Sequence, residues 1–209
     1  MNYYTNKELK KIKFSKLGKN VMISRKTSII NPELLSIGDY SRIDDFCILS
    51  GNIKIGRNVH ITPMCLVGGG LKGVEISDFC TIAYNVKIFS QSDDYVNGSI
   101  TNSTFPRQFK KEKFAKVFLG KHVIIGASSI IMPGCKLQEG SAIGAMSLVN
   151  KNTKAWSVYY GIPAKLMRKR KKVPRDLLQK AIKSLKWRKE LQFVMGLDLN
   201  TLNLRKLLI

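Results

Sequence analysis

Long apolar runs are missing from this 209-residue chain; none approaches the roughly 20 residues of a membrane-spanning helix. The opening stretch Met1–Lys11 is too polar for a secretory signal, so the expected location is the cytoplasm. Acidic residues are few: 14 Asp and Glu stand against 36 Lys and Arg, a formal net charge of +22. Such a charge attracts something anionic, whether nucleic acid, a membrane surface or a phosphorylated ligand, without choosing among them. Histidine is rarer still, with only His60 and His122, too few for a three-histidine zinc site. The four cysteines, Cys47, Cys65, Cys80 and Cys135, form no CxxC pair, so no metal is expected. No nucleic-acid module or row of stacking aromatics is present, so nucleic acid is not an expected partner. A hydrophobic share of 44% excludes a disordered composition and suits one domain with a tail.

What is present is a repeat. Leu119, Ile125, Ile131, Leu137, Ile143 and Val149 recur at six-residue spacing. So do Ile37, Ile43 and Leu49, then Ile55, Ile61 and Val67, then Ile76, Ile82 and Ile88. Six is neither the helical period nor the alternation of a simple strand. It suits a short strand plus a corner, with one aliphatic side chain pointing inward per strand. Three such units make a triangular coil, and coils stack by parallel pairing. Each inward aliphatic should then lie on its counterpart in the next coil. Glycines that follow the aliphatics (Gly38, Gly56, Gly126, Gly144) suggest tight turning there. A second register, four residues after each aliphatic, holds small or thin residues, among them Ser41, Val59, Val86, Ser129 and Ser147. All four cysteines fall in it, which reads as buried core with inert thiols.

The repeat breaks between Ile88 and Leu119. The segment 89–118 is polar and turn-rich, and a loop that long inside a compact domain is usually functional. Thr5 and Glu8 form a capping box for a short helix around Asn6–Lys13. After Val149 the repeat stops, Gly161-Ile162-Pro163 turns the chain, and a second helix is expected near Pro174 with Leu178, Ile182 and Leu185 as its stripe. The expected organisation is a cap over 1–16, the solenoid over 17–160, and a basic helical tail over 161–209.

The hexapeptide repeat, the interrupting loop and the closing run from Ile143-Gly144-Ala145-Met146-Ser147 through Gly161-Ile162-Pro163-Ala164-Lys165 resemble the hexapeptide acyltransferases. The sugar acetyltransferases of bacterial surface-polysaccharide clusters are the nearest likeness, over residues 15 to 170. The resemblance implies an all-β fold, a left-handed parallel β-helix, although parallel crossovers elsewhere are right-handed. It implies a homotrimer with active sites between prisms, and acetyl-CoA as co-substrate. It also implies that Gly126, Ala127, Ala145 and Ser147 lie along the coenzyme, and that Lys151, Lys165 and Arg168 meet its phosphates.

Acyl transfer needs a nucleophile relieved of its proton and donors for the developing oxyanion. In the maltose and galactoside enzymes of this family the base is a histidine shortly after the last strand before the loop. Here Asp93 stands in that slot, followed by Asp94, and the loop holds no histidine. His60 and the loop residues Asp93 and Asp94 are therefore the candidates, with His122 near a corner that could also face the cleft and a base outside this set left open. The choice bears on substrate, because a sugar hydroxyl needs a good base whereas a neutral amine is already nucleophilic. Histidine would favour O-acetylation and Asp93 would favour N-acetylation. The leading expectation is O-acetylation of a sugar in surface-polysaccharide (O-antigen or capsule) synthesis. The alternative is N-acetylation of a nucleotide-linked amino sugar, and a non-catalytic scaffold is a third reading. The basic tail from Lys165 to Lys189 reads as a helix docked on the prism with a solvated charged face, or else as a contact with an anionic membrane surface, with Trp187 and Phe193 at the interface.

Overall fold

The computed structural model describes residues 2–184. Within it, Tyr3–Lys171 form one compact unit. This unit is a parallel β-solenoid of about 7 turns, the all-β architecture the repeat implies.

Short strands succeed one another around three faces. Face A carries Lys16–Leu17, Leu35–Ile37, Val117–Leu119 and Lys136–Leu137. Face B carries Met22–Ile23, Arg42–Ile43, His60–Ile61, Thr81–Ile82, Ile124–Ile125, Ala142–Ile143 and Ser157–Tyr160. Face C carries Ser28–Ile30, Lys87–Phe89, Ile130–Ile131 and Leu148–Val149. Two longer strands, Ile48–Ile55 and Leu66–Ile76, run past the corner and join face C to face A.

The register is the one the six-residue period requires. On face B, Ile23, Ile43, Ile61, Ile82, Ile125 and Ile143 pair in sequence, and Tyr159 ends the column. On face C, Leu49, Val67, Ile88, Ile131 and Val149 do the same. On face A the column is Ile37, Ile55, Ile76, Leu119 and Leu137. All of these aliphatics are buried. Each full burial of an Ile or Leu is worth roughly 1.5–3 kcal/mol, so the three columns supply the driving force for stacking.

The small register is core as well. All four cysteines are buried and unbridged. Burial pushes the Cys80 thiol up to about 12 and moves Cys135 the same way, which keeps both protonated and unreactive. The serines of this register bond across coils: Ser41 Oγ donates to Gly56 O at 2.8 Å and Ser129 Oγ to Gly144 O at 2.9 Å.

The corners correct one expectation. Gly38, Gly56, Gly126 and Gly144 do not supply left-handed backbone. Positive φ falls instead on Tyr40, Asn58, Phe79 and His122 at one edge and on Phe46, Met64, Asn85, Ser128 and Met146 at another. The glycines are needed because corners stack closely. A Cβ on Gly38 would come within 2.5 Å of the Gly56 carbonyl carbon, and one on Gly126 within 2.4 Å of the Ala145 nitrogen.

The ends differ in part from the sequence expectation. The capping box forms, with Glu8 N donating to Thr5 Oγ1 and Thr5 N to Glu8 Oε2, but the helix spans only Asn6–Leu9. The expected helical tail begins as a strand. Lys165–Lys169 pairs antiparallel with Ser157–Tyr160. A second unit starts at Lys172, and its described part holds the helix Arg175–Ser184, close to the start that Pro174 implied. Leu185, Trp187, Phe193 and the basic residues from Lys186 to Lys189 lie outside the described residues.

Candidate active site

The excursion leaves face C after Lys87–Phe89 and is tied at its neck. Gln91 and Ser92 pair antiparallel with Phe114 and Lys113, and Ala115 N donates to Ser90 O at 2.9 Å. The loop thus projects from the C/A edge as a closed finger.

Its two adjacent aspartates do different work. Asp94 ties the loop to itself. Its carboxylate accepts the backbone N–H of Val96 at 3.0 Å, that of Asn97 at 3.0 Å, and the Ser99 hydroxyl at 3.0 Å. These donors, the Val96 N–H foremost, hold its acid down at about 2. A carboxylate so committed is a poor base. The Asp93 carboxylate is exposed and has no hydrogen-bond or ionic partner among the described residues. It lines a cavity of about 530 Å³ with Lys111, Lys113, Tyr95, Met132, Pro133 and Asn150. Met132 and Pro133 reach this cavity because Ile131 pairs with Ile88, which sets their corner one coil beyond the loop's root. That signal was in the repeat register and was not read from the sequence.

The histidines lie elsewhere. His60 is on face B, in line with Arg42 and Thr81. Its Nε2 sits 2.8 Å from Asp44 Oδ2, while Asp44 Oδ1 accepts Arg42 Nε at 2.6 Å and the Tyr3 hydroxyl at 2.9 Å. Burial works against the Asp44 charge, yet bonds from His60, Arg42 and Tyr3 hold its carboxyl below the usual range. His122 occupies the A/B edge, stacked on Phe79 at 5.1 Å with Trp156 at 6.0 Å on its other side. Burial lowers its basicity. The structure therefore brings Asp93 and Asp94 together in one cavity and sets neither histidine among the residues that line it.

Of the expected donor residues, Gly126, Ala127, Ala145 and Ser147 lie at the B/C edge, Lys151 follows the face C strand Leu148–Val149, and Lys165 and Arg168 lie on the terminal strand paired to face B. Ala127 and Ala145 are one coil apart and at least partly exposed. Among the described residues their backbone N–H groups have no acceptor. Two of their expected partners are engaged otherwise. The Gly126 N–H donates to Ile143 O at 2.8 Å. Ser147 is buried, and its hydroxyl accepts Gly161 N at 3.1 Å. Lys151, Lys165 and Arg168 are exposed. The open amides of Ala127 and Ala145 and the Asp93 cavity thus belong to different edges of one prism, with face C between them. No His, Cys, Asp or Glu cluster that could hold a metal occurs among the described residues.

No family model matches the chain. The dTDP-4-amino-4,6-dideoxy-D-glucose acyltransferase of Escherichia coli is 40% identical over 175 residues, spanning 82% of this chain and 91% of that protein. The chain belongs to the hexapeptide-repeat sugar acyltransferases. AntD, an N-acyltransferase from Bacillus cereus solved with dTDP and 3-hydroxybutyryl-CoA, superposes with a TM-score of 0.83 at 43% identity, covering 90% of this chain and 100% of AntD. The galactoside O-acetyltransferase of Lactococcus lactis is more distant, 29% identical over 129 residues that span 56% of this chain and 62% of that enzyme. The weight of likeness thus lies with amino-sugar acylation and reverses the order of the two sequence-based expectations.

Proposed function

We propose that this acyltransferase moves an acyl group from coenzyme A onto the amine of a dTDP-linked amino sugar. The observation that carries the reading is the Asp93 carboxylate: unpartnered, in a loop cavity that no histidine lines. Such a base is adequate for an amine and inadequate for a sugar hydroxyl. The relatives that bind or act on dTDP and dTDP-linked amino sugar supply the acceptor class.

In the proposed reaction the acceptor nitrogen attacks the thioester carbonyl carbon and its surplus proton passes to Asp93. The N–H groups of Ala127 and Ala145 meet the negative charge that builds on the carbonyl oxygen. The C–S bond then breaks, the thiolate leaves and takes up a proton, and an amide remains. Asp94 keeps the loop in shape so that Asp93 stays in the cavity. Lys151, Lys165 and Arg168 hold the donor's phosphates.

Asp93 and the two open amides occupy different edges, so a complete site needs a neighbouring copy. This supports the homotrimer. Nucleotide sugars and acyl-CoA thioesters are cytoplasmic metabolites, which supports action in the cytoplasm, within lipopolysaccharide or capsule assembly. The basic tail suits contact with the anionic inner membrane surface.

A thiol-release assay tests the core of the reading. Acetyl-CoA and 3-hydroxybutyryl-CoA are each offered with dTDP-4-amino-4,6-dideoxyglucose, maltose and galactose. Thiol release with the amino sugar alone is expected. Turnover with the hydroxyl sugars and none with the amino sugar would overturn it.

A further inference from the structure

The terminal strand Lys165–Lys169 is the one strand of the solenoid unit laid antiparallel on a rung, and its pairing slips. Lys169 opposes Ser157 and Arg168 opposes Val158, but Leu166 opposes Tyr159 and Lys165 opposes Tyr160. Met167 is the extra residue, a β-bulge. Directly opposed residues share a face of the sheet. Ser157 and Tyr159 are buried on the inner side, while Val158 and Tyr160 lie on the outer side. Lys165 and Arg168 are three positions apart and in a regular strand would point to opposite faces. The bulge puts both on the outer face. There Arg168 continues the row of Ala142 and Val158. Lys165 lies beside Tyr160, whose ring packs against Gly144 next to Ala145.

The strand is pinned at both ends. At its start, Ala164 N donates to Leu148 O at 2.8 Å. Just past its end, Arg170 spans three coils. Its backbone N–H donates to Trp156 O at 2.7 Å, and its Nη1 donates to His122 O at 2.9 Å and to Gly140 O at 3.0 Å. The guanidinium lies 5.9 Å from the Trp156 ring, which itself rests on Gly140. Two carbonyls and a ring thus fix where the strand ends, and this fixes where the bulge falls.

We propose that the Met167 bulge, locked by Arg170, is a positioning device for the acyl donor: it turns Lys165 and Arg168 to the same side as a paired phosphate clamp, with Lys165 toward the edge that carries the open amides of Ala127 and Ala145. This rests on the reading that Lys165 and Arg168 meet the donor's phosphates. Met167 and Arg170 are positioning residues and touch no substrate.

The test compares deletion of Met167 and Arg170→Ala with the parent enzyme, using acetyl-CoA and 3′-dephospho-acetyl-CoA at saturating amino sugar. A Lys165→Ala, Arg168→Ala double variant serves as the reference for the clamp itself. Deletion of Met167 leaves Lys165 and Arg168 two positions apart in a regular strand, still on one face, so it should leave the donor KM in place, and a raised KM would contradict the shared-face argument. Arg170→Ala frees the end of the strand to slip and is expected to raise KM for acetyl-CoA about tenfold, the loss of one charge-assisted bond, and to leave kcat and the acceptor KM in place. It should also narrow the preference for acetyl-CoA over its dephospho form, which a general loss of folded protein would not do. If the double variant raises the donor KM and Arg170→Ala does not, the device is refuted and the phosphate reading stands. If the double variant itself leaves the donor KM unchanged, the phosphate reading fails and the proposal with it. A drop in kcat for both donors at constant KM would likewise overturn it.

Discussion

Along the rungs of the prism every buried polar side chain of the described residues has a partner, whereas in the loop one of two neighbouring aspartates has none. Ser41, Ser129 and Ser147 look as able to bind a ligand as Asp93 does, yet their hydroxyls are consumed between coils. In the loop, Asp94 is consumed in the same way and Asp93 is left over. The contrast teaches where side-chain chemistry resides in a solenoid: repetition satisfies its own buried side chains, and a reactive carboxylate survives where the repeat is interrupted.

The sharpest way to break this contrast is Asp93→Asn. Loss of the base should lower kcat by roughly 100-fold or more with the melting temperature unchanged, as read by steady-state kinetics beside thermal unfolding. A retained rate would leave the loop without a base. Ile125→Ala tests the other half. Ile125 is fully buried between Ile82 and Ile143, and its truncation should cost about 2–5 kcal/mol in denaturant unfolding.

Asp94→Ala sharpens the difference between the two aspartates. It removes the acceptor for the Val96 and Asn97 N–H groups, so trypsin should cut more readily at Lys110 or Lys111. Activity should fall by less than in Asp93→Asn, and global stability should hold. The smallest effect is expected at His122. Its basicity is lowered in the fold, first by burial, so the native state resists its protonation. Stability should therefore decline as pH falls below the ordinary value of 6.5. His122→Phe, which keeps a ring between Phe79 and Trp156, should flatten that decline in unfolding curves taken from pH 8 to pH 5.

The rungs were legible in the sequence because one rule, an aliphatic every sixth residue, sets both burial and register. The columns from Ile37 to Leu137 and from Ile43 to Ile143 follow from it. The corner chemistry was not legible. The strained φ falls on residues as different as Tyr40, Phe79 and His122, where stacking between coils outweighs local preference, and the glycines serve contact rather than turning. Ser147 illustrates a conflict within the sequence: its spacing put it in the buried small register while the family likeness put it at the coenzyme, and its hydroxyl is held inside. The loop announced itself by breaking the period. Which of Asp93 and Asp94 is free depends on a turn of four residues that the Asp-Asp pair alone does not specify. The terminal strand carries no period at all, because it is added by antiparallel pairing to a single rung.

The central claim is that the new bond is an amide. Incubation of the protein with acetyl-CoA and dTDP-4-amino-4,6-dideoxyglucose, followed by mass spectrometry before and after alkaline hydroxylamine, reads it directly. The account predicts a product heavier by one acetyl group that survives the treatment, as an amide does. Loss of that mass on treatment, as an ester would give, would contradict it.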